Sequence, residues 1–254
     1  MSHNKDSSKV DETLIKQLTY LNLPFIQQNY EGFASQAVAA QWPHVEYLTR
    51  LIGGENAARQ DRATQRRVQQ ARFPLLKSLE HFDFTWPAKI NRPQIQNLFR
   101  LKFIEDKANV IFVGGVGLGK SHLSIALAHA ACLAGQRVLF ATAIDIVNNL
   151  SAAHNAGRFP QELNKYLKPD LLVMDELGYL PIDKRGADLL FQIISQRYER
   201  GAIVLTTNKA FKHWPSIFNN DSTLTSAILD RLLHHAETVV LEGKSFRMKD
   251  RIEP

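Results

Sequence analysis

The residues best suited to chemistry lie in one glycine-rich stretch at positions 114–121, GGVGLGKS. It matches the G-x-x-x-x-G-K-[ST] pattern of phosphate-binding loops, in which backbone N–H groups and a helix N-terminus point at phosphate oxygens. We expect Lys120 to reach the β- and γ-phosphates of ATP and Ser121 to ligate Mg²⁺. The residues that we predict to contact the nucleotide are Gly114, Gly115, Val116, Gly117, Leu118, Gly119, Lys120, Ser121 and His122.

Two polar segments follow apolar runs further along the chain. The run at 171–174 leads directly into Asp175 and Glu176. Asp175 is placed to hold the water shell of Mg²⁺, and Glu176 to polarise the attacking water as a general base. An adjacent Asp-Glu pair favours hydrolysis over transfer of phosphate to a small acceptor. Asn208, after the run at 203–206, is a candidate for orienting that water, with a helix cap or turn as the alternative.

The elements that must position these residues follow an α/β pattern. Short apolar runs at 110–113, 138–141, 171–174, 203–206 and 238–241 alternate with amphipathic segments. Apolar runs of this length suit strands that are buried on both faces, and the alternation with helices predicts a parallel sheet. The carboxyl ends of parallel strands meet at one edge, so the phosphate loop, the acid pair and Asn208 are expected together there.

The first third of the chain has a different pattern. Residues 11–72 show helical periodicity and no strand pattern, with Pro24 and the Gly53-Gly54 pair predicted to end helices. We therefore predict a small helical domain at 1–72, for DNA or partner interaction, and an ATPase domain at 73–254. Residues 73–104, which contain three prolines, read as a connector.

Composition restricts the function classes. Of the 254 residues, 44% are hydrophobic, a fraction that excludes a disordered tail protein. The formal net charge of +6 is consistent with a polyanionic partner. The single cysteine, Cys132, cannot form an internal disulfide, which suits a reducing compartment. The N-terminus lacks an apolar signal and no run approaches the ~20 apolar residues of a membrane span. We expect a cytoplasmic protein without a membrane partner.

The order of these motifs makes a family resemblance visible. DELGYLPIDKRGADLLFQIISQRYERG, VLTTNKAF and LTSAILDRLLHHAETVVLEGKSFRMK closely resemble insertion-sequence transposition ATPases of the IstB type. These belong to the AAA+ family, with helicase loaders of the DnaC type as nearest cousins. The resemblance implies a five-stranded parallel P-loop sheet with flanking helices, preceded by a helical domain. The chain stops at Pro254, so no C-terminal lid domain is expected, a truncation that IstB-like proteins share.

The resemblance also implies roles for two late arginines. The Asp230-Arg231-Leu232 stretch resembles the family's arginine-finger box, so Arg231 is expected to reach the γ-phosphate bound by a neighbouring subunit. Such a finger is typically worth ~10³–10⁵ in rate. Arg247 lies in a segment that resembles the one carrying a sensor-2 arginine. His234-His235 ends a helix and, without further ligands in the sequence, predicts no metal site.

Basic residues offer two candidate DNA contacts. Arg59, Arg62 and Arg66 share one helix face and Arg67 extends the cluster, which suits sequence-independent binding of duplex phosphates. A solvated face or a surface that docks on the ATPase core remains an equal alternative. By analogy with the DnaC and IstB proteins, a second candidate set is Arg158, Lys165, Lys184 and Arg185.

The leading hypothesis is an ATP-dependent transposition regulator that forms rings or helical oligomers on duplex DNA, with ATP between subunits. It would hydrolyse ATP and recruit its cognate transposase. The alternative is a helicase loader of the DnaC type that acts on single-stranded DNA. A small-molecule P-loop kinase is disfavoured by the Asp-Glu pair and by Arg231. A DNA scaffold with a vestigial nucleotide site is disfavoured by the intact Lys120 and Ser121.

Overall fold

The computed structural model of the chain describes residues 3–246, with side chains described from Glu12 onward. The predicted sensor-2 residue, Arg247, lies outside the described residues. Backbone contacts divide the chain into two compact units, Met1–Arg66 and Arg67–Pro254. The functional domain boundary after Arg72 stays a prediction.

The first unit is helical, as expected from its periodicity. It contains α1 (His3–Tyr20), α2 (Pro24–Ala39) and most of α3 (His44–Ala71). The expectation that Gly53-Gly54 ends a helix is wrong, because α3 runs through both glycines. A Cβ at Gly54 would lie 2.1 Å from the Phe25 ring, so this glycine makes room for packing between helices. The buried carboxylate of Glu55 accepts hydrogen bonds from the backbone N–H of Phe25 and Ile26, at the start of α2.

The second unit contains the predicted sheet. Its elements are α4 (Arg92–Leu98), α5 (Lys102–Glu105), β1 (Asn109–Gly114), α6 (Lys120–Leu133), β2 (Val138–Thr142), α7 (Ala143–Asn155), α8 (Phe159–Leu167), β3 (Leu171–Leu177), α9 (Lys184–Arg197), β4 (Ala202–Thr207), a 3₁₀ turn (Phe211–Ser216), α10 (Ser222–Leu233) and β5 (Ala236–Leu241). The five strands pair in parallel in the order β2-β3-β4-β1-β5. The prediction of a five-stranded parallel sheet is confirmed.

Apolar packing on both faces holds the sheet in place. Val110 and Phe112 of β1 pack into one hydrophobic cluster with α6, and Ile111 packs into the opposite cluster with α7, α9 and α10. Successive strand residues point to opposite faces, so a strand buried on both must be apolar throughout. The sheet thereby fixes where each strand delivers its terminal polar residues.

One buried arginine fastens the amino end of the sheet. Arg197, at the end of α9, is 1% exposed and its two terminal nitrogens donate to five backbone carbonyls. The acceptors are Tyr166, Leu167, Pro169, Asp170 and Ala202. Burial lowers the pKa of Arg197 to about 10, so the guanidinium stays charged at neutral pH. It joins the segment before β3 to the start of β4.

Within residues 3–246, no helix has the combined length and apolar character needed to cross a bilayer.

Candidate nucleotide site

The glycine-rich loop joins β1 to α6 at the carboxyl edge of the sheet. Gly117 and Gly119 adopt φ values of +77° and +89°, which glycine reaches without strain. A Cβ at Gly119 would lie 2.5 Å from the Phe82 ring, so no larger residue fits there. The Lys120 side chain is buried, and its Nζ donates to the Gly115 carbonyl at 2.6 Å. The loop backbone therefore holds the ammonium group that is predicted to bind phosphate.

The end of β3 approaches this loop directly. Ser121 Oγ donates to Asp175 Oδ1 at 3.1 Å, and Thr206 Oγ1 of β4 donates to the same oxygen at 2.5 Å. Asp175 is buried, so these hydrogen bonds fix the orientation of its carboxylate. The two residues predicted to hold Mg²⁺ are thus brought together. Thr206 was not predicted, although a buried threonine at the end of an apolar strand signals a polar partner.

Glu176 lies in a local distortion of β3. The register with β4 is irregular between Met174 and Leu177, and Glu176 has a φ of +61°. Its backbone N–H donates to Thr206 Oγ1 at 2.9 Å, while its side chain is exposed. Bulges and strained backbone occur often beside active sites, where they re-aim a side chain. Here the distortion turns the carboxylate of Glu176 out of the sheet.

A cavity of about 320 Å³ opens above the loop, a volume suited to a small-molecule ligand. Its lining includes Gly117, Leu118, Gly119, Lys120, Ser121, His122, Ile125, Glu176 and Tyr179. The rest of the lining comes from Lys77, His81, Phe82, Asp83, Trp86, Pro87 and Phe246. Residues 73–104, predicted as a connector at the start of the ATPase domain, also have a role in the site, because their first part forms one wall of the cavity. The alternating aromatic residues at 82, 84 and 86 were the available signal.

Hydrogen bonds hold this wall in place. Lys89 and Glu242 pair as an antiparallel bridge, and Trp86 Nε1 donates to the Lys244 carbonyl at 2.9 Å. His122 Nε2 lies 2.8 Å from the Ser78 carbonyl oxygen. Burial lowers the pKa of His122 below its ordinary value, although this hydrogen bond opposes the shift. A neutral His122 is therefore favoured as a packing and hydrogen-bonding residue of the site.

Asn208 reaches the same edge of the sheet but does not line the cavity. Its Oδ1 is buried, and among the described residues no donor reaches that atom. A Cβ at Gly178 would lie 3.3 Å from this oxygen, which places Asn208 beside the segment that follows Glu176. An unsatisfied buried acceptor is uncommon and costly.

Arg231 lies at the opposite edge of the sheet. It belongs to the last turn of α10 and donates to the Ala227 carbonyl at 2.9 Å, with its guanidinium 5.0 Å from the Phe191 ring centre. A small cleft that it lines also contains Asn109, where β1 begins, and Ile203 of β4. The nucleotide cavity follows the other end of β1. Within one chain, the structure does not bring Arg231 to the phosphate loop.

Several predicted DNA contacts have partners inside the protein. In the first unit, Arg59 donates to the Asn22 carbonyl and Arg62 pairs with buried Glu55 at 2.9 Å, whereas Arg66 is exposed. In the second unit, Arg67 donates to the Cys132 carbonyl at the end of α6. Arg62 and Arg67 therefore have structural tasks that the charge pattern did not reveal.

The second predicted set is more exposed. Arg158 precedes α8 and Lys184 begins α9, and both are exposed. Lys165 pairs with Glu162, and Arg185 donates to Asn155 Oδ1 at 3.1 Å. Lys165 also lines a cavity of about 900 Å³ along the edge strand β2, which extends to Asp175 and Glu176. The smaller cavity is the better nucleotide candidate, because it alone of the two contains the glycine loop.

Comparison with solved structures finds proteins that share this fold. A DnaC helicase loader aligns with a TM-score of 0.53 and 22% identity over 65% of this chain and 96% of that one. A DnaA replication initiator bound to AMPPCP and single-stranded DNA aligns with a TM-score of 0.54 and 22% identity, over 69% of this chain and 54% of that one. At this identity, the similarity concerns the fold alone.

Sequence comparison is more specific. The ATP-binding protein of insertion sequence IS5376 from Geobacillus stearothermophilus is 37% identical over 91% of this chain and 92% of its own length. The ATP-binding protein of insertion sequence IS21 from Pseudomonas aeruginosa is 38% identical, over 92% and 88% respectively. The model of the family described as "IstB-like ATP binding protein" matches residues 16–254. The resemblance seen in the motifs is thus confirmed, and the chain belongs to the IstB-like ATP-binding family.

Proposed function

We propose that this protein is an ATP-driven transposition helper. With ATP bound, copies assemble on duplex DNA and recruit the cognate transposase, and hydrolysis releases the assembly. The observation that carries the proposal is the separation, within one chain, of a nucleotide cavity from Arg231. The similarity to insertion-sequence proteins favours transposition over helicase loading, because the likeness to a helicase loader concerns the fold alone.

The chemistry of the site suits a magnesium nucleotide. Ser121 Oγ and the Asp175 carboxylate offer adjacent oxygen atoms, the ligands that Mg²⁺ prefers. Ser121 would bind the ion directly and Asp175 through its water shell. When bound, Mg²⁺ neutralises charge on the β- and γ-phosphate oxygens. Lys120 would exchange its contact with the Gly115 carbonyl for phosphate oxygens, and the N-terminus of α6 adds its favourable dipole.

Glu176 is the proposed general base for hydrolysis. Its carboxylate lines the cavity and accepts a proton from water as the water oxygen attacks the γ-phosphorus. The bond from the γ-phosphorus to the bridging oxygen breaks, which yields ADP and inorganic phosphate. Asn208 is proposed to orient the attacking water, with its unsatisfied Oδ1 as an acceptor.

A neighbouring copy must supply the arginine finger. Strand β1 has 6 residues between the Arg231 end and the phosphate loop, and a strand rises about 3.3 Å per residue. An arginine at the amino edge therefore lies too far from its own γ-phosphate. If Arg231 acts in catalysis, it acts across a subunit interface, so ATP turnover and assembly are coupled.

Imaging and nucleotide turnover test this proposal together. Electron microscopy of the protein with duplex DNA should show rings or filaments with ATP and none without it. Glu176→Gln should assemble with ATP yet release no phosphate, because the base is lost while the phosphate loop is kept. Lys120→Ala should neither bind ATP nor assemble, whereas Lys212→Ala, which changes an exposed lysine outside the cavity, should behave as wild type. Equal assembly with and without nucleotide, or normal hydrolysis by Glu176→Gln, would contradict the proposal.

Adding the transposase tests recruitment. Purified transposase should co-sediment with the assembly formed by Glu176→Gln on duplex DNA and not with Lys120→Ala. Capture of a hexameric helicase on single-stranded DNA instead of the transposase would favour the helicase-loader alternative.

A further inference from the structure

We infer that Glu199, His234 and His235 form a Zn²⁺ site at the amino edge of the sheet. Each offers one ligand atom, and these atoms all lie within 4.8 Å of one another. From the sequence, His234-His235 predicted no metal because no further ligand was evident. Folding supplies the third ligand from the turn after α9, 35 residues earlier in the chain. The inference does not depend on the proposed function.

The ligand types and spacing suit zinc. Imidazole nitrogen and carboxylate oxygen bind Zn²⁺ at about 2.0–2.2 Å, which separates two ligand atoms of a tetrahedral site by about 3.4 Å. His235 Nε2 lies 3.9 Å from Glu199 Oε1, so a small rotation of exposed side chains closes the site. Three protein ligands leave one position for water, as in open zinc sites.

Tyr198 provides the partner that a zinc-binding histidine normally has. Its Oη lies 2.7 Å from His234 Nδ1. In the tautomer that donates Nδ1–H to the tyrosine oxygen, the lone pair of His234 is on Nε2 and is free to bind an ion. Such an outer hydrogen bond orients the ring and raises its basicity as a ligand. Tyr198 is therefore a positioning residue for the site.

The backbone around the ligands is held in place. Asn109 N–H donates to the His235 carbonyl at 2.7 Å, which ties this residue to the start of β1. The turn that carries Glu199 closes on the Arg197 carbonyl, and Arg197 is itself the buried hub of this edge. Glu199 has a φ of +58°, a left-handed conformation in which many helices end, and this turn fixes where its side chain leaves the backbone. Rigid backbone reduces the ordering cost of metal binding.

Two helix ends favour a cation here, against the positive side chains of Lys107, Arg197 and Arg231, which line the same cleft as Glu199 and His235. Helices α9 and α10 end at Arg197 and Leu233, so two helix C-termini converge beside the three ligands. Carbonyls at a helix C-terminus carry partial negative charge and stabilise a nearby cation. The positive Arg231 guanidinium reaches back along α10 to the Ala227 carbonyl, toward the preceding turn. Bound Zn²⁺ would tie the end of α9 to the turn of α10 that carries Arg231.

Zinc titration of the full chain, without an affinity tag and without nucleotide, tests the inference. Competition with a chromophoric zinc chelator should reveal one site per chain in wild type. His235→Ala and Glu199→Gln should each weaken it at least tenfold, and Tyr198→Phe about tenfold, as typical for an outer-shell partner. His213→Ala removes an exposed histidine outside the cluster and should leave affinity unchanged. Cobalt substitution should give the visible spectrum of a tetrahedral ion only when the cluster is intact.

The possible results separate a built site from adventitious binding. Far-ultraviolet circular dichroism of each variant checks that it is folded, and the tyrosine variant keeps all three ligands. A zinc site that survives both His235→Ala and Glu199→Gln in folded protein would overturn the inference, as would wild type that binds no zinc. Loss of the site in His213→Ala alone would assign the metal elsewhere and overturn it too.

Discussion

The two edges of the sheet differ in electrostatic character. At the carboxyl edge, the glycine loop and the start of α6 present backbone N–H groups around a cavity. At the amino edge, α9 and α10 end, and carbonyl groups meet the cations of Arg197 and Arg231. Parallel strands with antiparallel helices produce this polarity, because helix N-termini gather at one edge and C-termini at the other. One edge is built to bind anions and the other to hold cations.

The edges also differ in packing. The carboxyl edge contains positive φ values at Gly117, Gly119 and Glu176, together with an unsatisfied Asn208 oxygen. The amino edge also has a positive φ, at Glu199, and an unsatisfied Arg197 Nε, but five hydrogen bonds of Arg197 close it. We therefore expect the carboxyl edge to bind the ligand and the amino edge to support the fold.

Arg231→Ala should give the largest loss of ATP turnover. It tests whether the amino edge of one subunit acts on the nucleotide bound at the carboxyl edge of its neighbour. Removing a finger supplied in trans should lower ATP turnover by roughly 10³–10⁵-fold, with little loss of nucleotide affinity for the isolated chain. Steady-state phosphate release with duplex DNA measures the effect, and Arg200→Ala at a nearby exposed position is the control.

A mixture of two variants tests whether Arg231 acts on the ATP bound by a neighbouring subunit. Glu176→Gln supplies an intact Arg231, and Arg231→Ala supplies an intact base, so mixed assemblies should regain phosphate release. If the mixture stays as inactive as its components while assembly proceeds, the finger does not act across the interface.

Arg197→Lys tests whether the hydrogen bonds at the amino edge stabilise the fold. One ammonium group cannot serve five carbonyls spread over two segments, so buried acceptors lose their donors. We expect the free energy of unfolding to fall by roughly 2–4 kcal/mol, since one unsatisfied buried group costs about 1–3 kcal/mol. Urea denaturation measures this, with Arg200→Lys as the exposed control. An unchanged free energy of unfolding would mean that the hydrogen bonds of Arg197 do not stabilise the fold.

Thr206→Val tests whether the hydrogen bonds at the carboxyl edge support ATP hydrolysis. Asp175 loses a hydrogen-bond donor and the Glu176 N–H loses its acceptor, while the size of the side chain is kept. A lower kcat by roughly 10–100-fold is typical when an outer partner of a metal site is removed. The ATP affinity should change far less, because Lys120 and the loop are intact. Thr225→Val, at a buried threonine of α10, controls for stability. An unchanged kcat would exclude a positioning role for Thr206.

Sequence reasoning located the strand ends correctly where the pattern is contiguous, while the chemistry proposed for the residues there stays a prediction. The run 114–121 and the Asp175-Glu176 pair each combine a strand end with functional groups in adjacent positions. The apolar runs likewise predicted all five strands, because burial on both faces excludes most polar residues. A contiguous pattern therefore conveys both the element and the chemistry at its end.

Prediction was incomplete where distant segments meet. Thr206 serves Asp175 across the β3–β4 pair, and Glu199 meets His235 from another element. The structural roles of Arg62 and Arg67 arise from Glu55 and from the Cys132 carbonyl. Spacing along one helix face cannot reveal partners of this kind. The same holds for Gly54, which permits packing against Phe25 rather than ending a helix.

The smallest predicted effect concerns where the duplex binds. Arg59 and Arg66 are exposed on α3, whereas Lys184 and Arg185 begin α9, at the carboxyl edge of the sheet. Each phosphate contact contributes about 0.9 to the slope of log affinity against log salt. The double variant Arg59→Ala with Arg66→Ala should therefore lower the slope for duplex DNA by about 1.8 if α3 carries the contact. Arg50→Ala, at a residue paired with Glu46 on the same helix, is the control and should leave the slope unchanged. If Lys184→Ala with Arg185→Ala lowers the slope instead, the duplex binds beside the nucleotide edge, and that edge would combine DNA contact with catalysis.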